Sequence, residues 1–160
     1  MQAGPDGPDC PRCRARSPED VVAGLTNAVF RAIRKARPDA ELLAWPYSAF
    51  VWSRDPHQLV LIAKLDPGIQ IVPEIDKDQI YSKDGYVKNI WDYSIDFIGP
   101  SDRYRAMTDA ARRRGLAVCC KTETAVSLEF NGVPYIPCLD RWGKRLDVIA
   151  AMKPDSIFYA

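Results

Sequence analysis

Residues 101–123, SDRYRAMTDAARRRGLAVCCKTE, place a helix directly before a buried strand. Ser101 is a typical helix N-cap and Gly115 a typical helix stop, so the segment predicts a helix that ends at about residue 114. The apolar run that follows has the length and composition of a buried strand. The segment therefore predicts one helix-plus-strand unit, with Lys121 and Glu123 at the end of its strand.

The same order of helix, turn and strand precedes this unit twice. Ser17 and Pro18 begin a segment with apolar residues at helical spacing, which predicts a helix up to about residue 37. A short strand at 42–44 follows and ends at Trp45 and Pro46. The segment HQLVLIAKLDPG (57–68) then predicts a short helix, and IQIVPEID (69–76) predicts a second strand that Pro73 terminates.

The remaining segments complete the pattern. The charged stretch from Lys77 to Asn89 contains a glycine and is interpreted as an excursion from the regular repeat. A further helix is predicted from about Asp140 to Met152, and the apolar SIFYA (156–160) is predicted to be the last strand. The chain thus contains about four helix-plus-strand units.

Alternating helices and strands of this kind favour an α/β fold with parallel strands and right-handed crossovers. A (β/α)8 TIM barrel spans about 250 residues, so four β/α units indicate the C-terminal half of such a barrel. We interpret residues 1–160 as a single partial TIM-barrel domain, with a loop over 1–16 and β/α repeats over 17–160, truncated at both ends. Half a barrel leaves strand edges without partners, so the chain alone is expected to be poorly stable or to self-associate.

Composition excludes several classes of function. The 160 residues are 47% hydrophobic and 27% charged, which suits one globular domain with a real core. Lys plus Arg number 22 against 21 Asp plus Glu, so no strong field selects nucleic acid as a partner. No apolar run reaches the roughly 20 residues of a membrane span, and no Gly-rich phosphate loop follows a strand. We expect no membrane partner and no cofactor; cytoplasmic and exported locations both stay open.

Polar and aromatic side chains follow the predicted strands at the point where each strand ends. In TIM barrels these ends form the active face. Flat aromatic rings stack on the apolar faces of sugars, and carboxylates bind hydroxyls or act as acid, base or nucleophile. The pattern therefore predicts a carbohydrate-binding rim. The residues at these ends are Trp45, Tyr47, Glu74, Asp76, Lys121, Glu123 and Tyr159.

Glu123 and Glu74 are the predicted catalytic residues. Lys121 lies two positions before Glu123, so both side chains face the same side of a strand, and the ammonium would hold the carboxylate ionised. An ionised carboxylate is what a nucleophile or an oxocarbenium stabiliser requires. Glu74 is chosen because it directly follows the second strand. A structural ion pair at the rim is the alternative for Glu123.

Six residues are predicted to bind the substrate: Trp45, Tyr47, Lys121, Asp76, Trp91 and Asp92. Each has a structural alternative. The two aromatics of the first strand end could cap the core, Asp76 could belong to a solvated charged loop, and Asp92 could cap a turn. The lone His57 follows Asp55 and Pro56 in a loop and is interpreted as a surface residue.

A family resemblance rests on six stretches: CPRCRARSPEDVV, AWPYSAF, VPEIDKD, DYSIDFIGPSDRY, KTETAVSLEFNGVPYIP and SIFYA. Together they resemble the second half of bacterial TIM-barrel proteins related to glycoside hydrolases, with a barrel similar to that of the family 20 β-hexosaminidases. The resemblance implies a carbohydrate substrate and hydrolysis of glycosidic bonds, with the other half of the barrel as structural partner. A non-catalytic sugar-binding or structural barrel is the alternative.

The resemblance leaves two catalytic arrangements open. In family 20 enzymes an adjacent Asp and Glu act at the end of the fourth strand, a position that would precede Met1 here. In the large clan of barrels with an acid/base on strand four and a nucleophile on strand seven, Glu123 takes the nucleophile position.

Five cysteines occur: Cys10 and Cys13 in CPRC, the adjacent Cys119 and Cys120, and Cys138. An odd number cannot form a complete disulfide framework, and they are interpreted mainly as reduced, buried side chains. A zinc knuckle would need two further ligands beside CPRC, which the sequence does not supply at suitable spacing. A cysteine pair that pins the loop, or a disulfide between Cys10 and Cys13, is favoured over zinc.

We therefore predict no metal, and no structural zinc at Cys10 and Cys13. Metal analysis of protein purified without chelator should find no stoichiometric zinc. One equivalent of zinc that is lost together with secondary structure on chelation would contradict this expectation.

Overall fold

The computed structural model describes residues 15–123 and 138–159, together with the single residue 11. The described chain is a mixed α/β structure. Its helices are α1 (Pro18–Ala36), α2 (Leu59–Ile62), α3 (Asp102–Arg113) and α4 (Leu139–Met152), with a 3-10 turn at Ala49–Val51. Its strands are β1 (Leu42–Ala44), β2 (Ile69–Ile71), β3 (Gln79–Lys83), β4 (Tyr86–Ile90), β5 (Cys119–Thr122) and β6 (Ser156–Tyr159). None of these helices is long and apolar enough to cross a membrane.

The two N-caps predicted from the sequence are confirmed. Ser17 and Asp20 form a reciprocal capping box at the start of α1, in which each side chain bonds the other residue's backbone N–H. The Ser101 hydroxyl accepts from the backbone N–H of Tyr104 at the start of α3. Gly115 has a positive φ of 69° directly after α3, as expected for a helix stop. The helix starts and stops are thus locally encoded.

Four strands run parallel. β1 pairs with β2 in the register Leu42 to Ile69, and β5 pairs with β6 in the register Cys119 to Ser156. Two parallel bridges, Ile71 to Val118 and Glu74 to Lys121, connect the β2 segment to the β5 segment. The spatial order is therefore β1, β2, β5 and β6, and the described residues do not close a barrel.

The helices cover these strands through two apolar clusters. In the first, Phe30 of α1 and Met107 of α3 pack with the β2 residues Ile69 and Ile71 and with Val118. The second cluster lies nearer the carboxyl ends of the strands, and its buried members are Ile75, Tyr104, Cys120 and Ile149. This second cluster therefore forms the apolar support for the polar side chains at the strand ends.

The charged excursion after Lys77 is an antiparallel hairpin of β3 and β4. The sequence interpretation recognised the excursion but not its strands. The turn residues Asp84 and Gly85 both have positive φ, 51° and 82°, which is the geometry of a tight Asp-Gly hairpin. The Asp84-Gly85 dipeptide is the sequence signal from which this hairpin could have been predicted.

The cysteine interpretation can be compared with the structure for three residues. Cys119 and Cys120 are buried and Cys138 is half-buried, and all three are free thiols. Burial raises the pKa of Cys120 to about 12, so this thiol is unreactive. Cys10 and Cys13 lie outside the described residues.

Gly99 provides a test of how the loop before α3 packs on the strand end. Its φ is +93°, and a Cβ there would lie 2.8 Å from Cγ1 and 3.0 Å from the carbonyl oxygen of Ile75. Gly85 has a similar φ of +82° but no atom within 4 Å of the Cβ position.

We expect Gly99→Ala to lower the free energy of unfolding by about 1 kcal/mol or more beyond the loss from Gly85→Ala. Both variants carry the positive-φ penalty, and only the first adds a clash with the backbone of Ile75. Urea denaturation of the two variants measures the difference. Equal losses would show that the contact with Ile75 relaxes freely.

Candidate functional site

Glu74 lies at the end of the β2 segment and forms a fully buried ion pair with Arg103 of α3. Their atoms Oε2 and NH1 are 2.5 Å apart, and each side chain is 1% exposed. The other carboxylate oxygen accepts from the indole N–H of Trp45. Each oxygen of Glu74 therefore accepts from a donor, which fixes the orientation of the carboxyl group.

Arg103 makes further hydrogen bonds with its Nε and NH2 groups. It donates to the side-chain oxygen of Gln58 at 2.7 and 3.0 Å and to the carbonyl of Pro46 at 3.2 Å. Gln58 stands just before α2, and Pro46 follows β1. The guanidinium thus ties α3 to the loop between β1 and α2 and to the end of the neighbouring strand.

Lys121 and Glu123 form the second ion pair, as the sequence predicted for same-face neighbours. The Lys121 ammonium lies 3.0 Å from Glu123 Oε1, and Lys121 is fully buried while the side chain of Glu123 keeps 11% exposure. The ammonium also lies 4.1 Å from the centre of the Tyr93 ring and 5.5 Å from that of Trp45. Aromatic faces favour such a cation, so Lys121 is held between rings while Glu123 reaches the surface.

Aromatic rings form a continuous wall beside the two ion pairs. The ring centres of Trp45 and Tyr47 lie 5.3 Å apart, and Tyr47 stacks on Tyr93 at 6.4 Å with an angle of 19° between the planes. Phe158 of β6 contacts Trp45 edge-on at 5.8 Å. Trp45 is 43% exposed, so part of this wall faces outward and can be reached by a flat ligand.

The side chain of Asp92 is only 7% exposed. Neither of its carboxylate oxygens makes a hydrogen bond of ordinary length and angle within the described residues. The ammonium of Lys77 lies 3.9 Å away. Burial raises the pKa of Asp92 to about 6, with Glu74 and Asp76 adding to the rise and Tyr47 and Lys77 opposing it.

The pKa of Tyr47 is shifted by its interaction with Asp92. Interaction with the Asp92 carboxylate, followed by burial, raises the pKa of the Tyr47 hydroxyl to about 12. Burial is also the main reason that the pKa of Tyr93 is raised. Both hydroxyls therefore keep their protons across the physiological range and can only donate or relay them.

Asp76 fastens the loop that carries Asp92 and Tyr93. It accepts from the backbone N–H of Ser94 at 2.9 Å, and Arg145 NH1 of α4 lies 3.1 Å from the same carboxylate oxygen. Arg145 also donates to the carbonyls of Ser94 and Phe97. Burial raises the pKa of Asp76, and Arg145 is the largest opposing influence. Asp76 is therefore buried and fixes the loop, and the prediction that it binds the substrate is not supported by its position.

Trp91 lies outside the central group. It is 63% exposed, its ring contacts Phe50 edge-on at 6.3 Å, and its carbonyl accepts from Lys77 at 3.2 Å. With Tyr47 and Phe50 it lines a separate cleft of about 330 Å³. The structure thus brings six of the predicted site residues into one group: Trp45, Tyr47, Glu74, Asp92, Lys121 and Glu123.

Four residues of the site were missed from the sequence: Lys77, Tyr93, Arg103 and Arg145. One of them, Arg103, could have been identified from the sequence. Arg103 falls on the same helical face as the core residues Tyr104 and Met107, and a charged residue on an apolar helix face implies a buried partner. Among the described residues, no group of three or more His, Cys, Asp or Glu side chains is placed to hold a metal ion.

A scan against protein-family models, a search of curated proteins and a search of solved structures each found no match to the chain. The interpretation of the site therefore depends on its own geometry and on the sequence patterns.

The buried Glu74–Arg103 pair can be tested by its effect on stability. Arg103→Met leaves Glu74 as a buried anion without its cation, and we expect it to lower the free energy of unfolding by about 3 kcal/mol. Adding Glu74→Gln removes the orphaned charge and should recover part of that loss. Urea denaturation of the single and double variants measures both effects.

The matched control is Arg31→Met, which removes an ion pair of similar length, 2.6 Å to Asp66, at a site where the Arg31 side chain is 71% exposed. Exposed pairs contribute little, so this variant should stay close to wild type. An Arg103→Met loss no larger than that of the control would contradict the assignment of the buried pair as a structural anchor.

Proposed function

We propose that the group of six residues binds a carbohydrate and hydrolyses a glycosidic bond. The observation that carries the proposal is the position of Glu123, a partly exposed carboxylate paired with Lys121 beside the exposed ring of Trp45. Aromatic rings bind the apolar face of a sugar by stacking, and a fixed anion stabilises the positive charge that develops at the anomeric carbon. Both parts occur here within one group.

We further propose that the chain is part of a (β/α)8 barrel. The order β1, β2, β5 and β6 with helices between successive strands supports this architecture. Five of the six residues, all except Asp92, lie at or just after the carboxyl ends of these strands, where enzymes of that architecture carry their chemistry. The remaining strands of the barrel would be the structural partner of this chain.

The two glutamates would have different roles. Glu123 is the candidate nucleophile or oxocarbenium stabiliser, because it is paired with Lys121 and its side chain is partly exposed. Glu74 already accepts from Arg103 and Trp45 with its two oxygens, so it would act as a fixed charge that also orients the indole ring. Through the ring of Trp45 it would position the sugar.

A non-catalytic sugar-binding barrel is the second candidate. It is favoured by the fact that each glutamate is paired with one cation, Glu74 with Arg103 and Glu123 with Lys121, as in structural ion pairs. In that case the aromatic wall would bind sugars and neither carboxylate would take part in bond cleavage.

Glu123→Gln separates the two functions. The substitution keeps the shape of the side chain and removes its charge, so it should lower turnover of aryl glycosides at least about 100-fold while changing the melting temperature little. The measurement is kcat on a panel of aryl glycosides.

The control is Glu41→Gln, the same substitution at an exposed position before β1. It should leave turnover unchanged. Near-normal turnover in Glu123→Gln would assign Glu123 to a rim ion pair, and sugar binding by the wild type without turnover of any glycoside would favour the non-catalytic barrel.

A further inference from the structure

We propose that the cleft lined by Phe50, Asp78 and Trp91, here called the Trp91 cleft, binds a further sugar unit, so that the ligand of this protein is an oligosaccharide. The inference rests on the carbohydrate binding in the proposed function and names the class of ligand. Three features carry it: two exposed aromatic rings, a carboxylate with room to accept hydrogen bonds, and a ring that the cleft shares with the aromatic wall.

The Trp91 cleft has the size of a small ligand site. Its volume is about 330 Å³, and it lies between the loop that joins β1 to α2 and the residues that flank the β3–β4 hairpin, Asp78 and Trp91. Ligand pockets usually hold about 300 to 1,000 Å³, so this cleft suits one ring-shaped group. Its lining combines apolar rings with polar side chains, as a sugar with an apolar face and hydroxyl groups requires.

Two aromatic rings are exposed at the cleft. Phe50 is 60% and Trp91 is 63% exposed, and their ring centres lie 6.3 Å apart in an edge-on arrangement. Neither ring belongs to the two apolar clusters of the described residues. Apolar surface left in water is unfavourable, and a sugar stacked on the Trp91 ring would remove part of it from water.

Asp78 supplies a hydrogen-bond acceptor at the same cleft. Its side chain is 38% exposed, and its oxygens lie 3.6 Å from Arg103 Nε and 3.8 Å from Lys77 Nζ. Charge-assisted hydrogen bonds measure about 2.7 to 2.9 Å, so neither cation is within bonding distance of the carboxylate. The carboxylate can therefore accept from the hydroxyl groups of a ligand.

The polar floor of the cleft is fixed by contacts within the protein. Arg103 donates to the side-chain oxygen of Gln58 through Nε and NH2, at 3.0 and 2.7 Å. The Gln58 amide nitrogen in turn donates to the carbonyl of Asp55 at 2.8 Å. Because these groups already bond to one another, a ligand would bind without reordering them and with little loss of side-chain entropy.

Tyr47 joins the Trp91 cleft to the aromatic wall. It lines the cleft, and its ring centre lies 5.3 Å from that of Trp45. The Lys77 ammonium lies 4.8 Å from the centre of the Tyr47 ring and 5.7 Å from that of Phe50, so one buried cation contacts both rings. A sugar on the wall and a sugar in the cleft would therefore be neighbours, which favours linked sugars over two separate ligands.

The test is the dependence of affinity on chain length, measured by isothermal titration calorimetry. The probes are glucose, N-acetylglucosamine and xylose, together with their α- and β-thio-linked chains of two to four units, which resist hydrolysis. We expect the affinity to rise about tenfold or more at one step of chain lengthening, when a unit enters the cleft. Trp91→Ala should reduce this step to less than about twofold, because the stacking surface is lost.

Two further variants show whether the loss is specific to the ring in the cleft. Trp91→Phe keeps an aromatic ring and should retain most of the length-dependent step. Tyr86→Ala is the matched control, since it removes a ring that is 81% exposed on β4 and does not line the cleft. It should leave the step unchanged.

Asp78→Asn tests the carboxylate. The φ of Asp78 is +56°, a left-handed conformation that asparagine also adopts, so the variant keeps the backbone. A charged acceptor forms a hydrogen bond about twice as strong as a neutral one, so the length-dependent step should fall about threefold or more. Asp84→Asn, at a φ of +51° in the hairpin turn, is the matched control and should not change it.

The outcomes separate this inference from the function on which it rests. Equal affinity for single sugars and for longer chains overturns the further sugar unit and leaves the proposed function standing. A step that persists in Trp91→Ala, or that is lost equally in Tyr86→Ala, does the same. A step that depends on Trp91, without turnover of any glycoside, supports the inference and overturns hydrolysis. A protein that binds none of the probes overturns both.

Discussion

The buried pair of Glu74 and Arg103 is the contact on which the rest of the site depends. Taking two charges out of water costs several kcal/mol per ion, so the pair depends on the further hydrogen bonds that both side chains make. The guanidinium contacts Gln58 and the Pro46 carbonyl, and the carboxylate accepts from the indole of Trp45. One ion pair thereby joins α3, the end of the β2 segment and the loop that follows β1.

The orientation of the aromatic wall follows from this anchor. Trp45 is held by its indole N–H, and its ring then provides a contact surface for Tyr47 and Phe158. A second anchor acts from the other side, where Arg145 of α4 and Asp76 fasten the loop that carries Tyr93. The segments that carry Trp45 and Tyr93 are far apart in the chain, and each is fixed by a buried cation. Rings fixed in this way can bind a flat ligand with little loss of side-chain entropy.

The distribution of charge has a direct chemical consequence. Three carboxylates of the group have a cation within about 3 Å, and their negative charge is matched locally. Asp92 does not, and burial therefore acts on it with little compensation.

Local patterns in the sequence determined the helices, the four parallel strands and part of the site. Ser17 and Ser101 predict the helix starts, because a cap needs only its own hydroxyl and a backbone N–H three residues away. Spacing by two along β5 was enough to predict that Lys121 and Glu123 share a face. Only the tertiary structure decided which cation meets which carboxylate, since Glu74 and Arg103 are 29 residues apart and Arg145 reaches Ser94 across 51. Such contacts arise when helices dock on strands, and the burial that raises the pKa of Asp92 arises in the same step, so neither is encoded in the residues next to it in the chain.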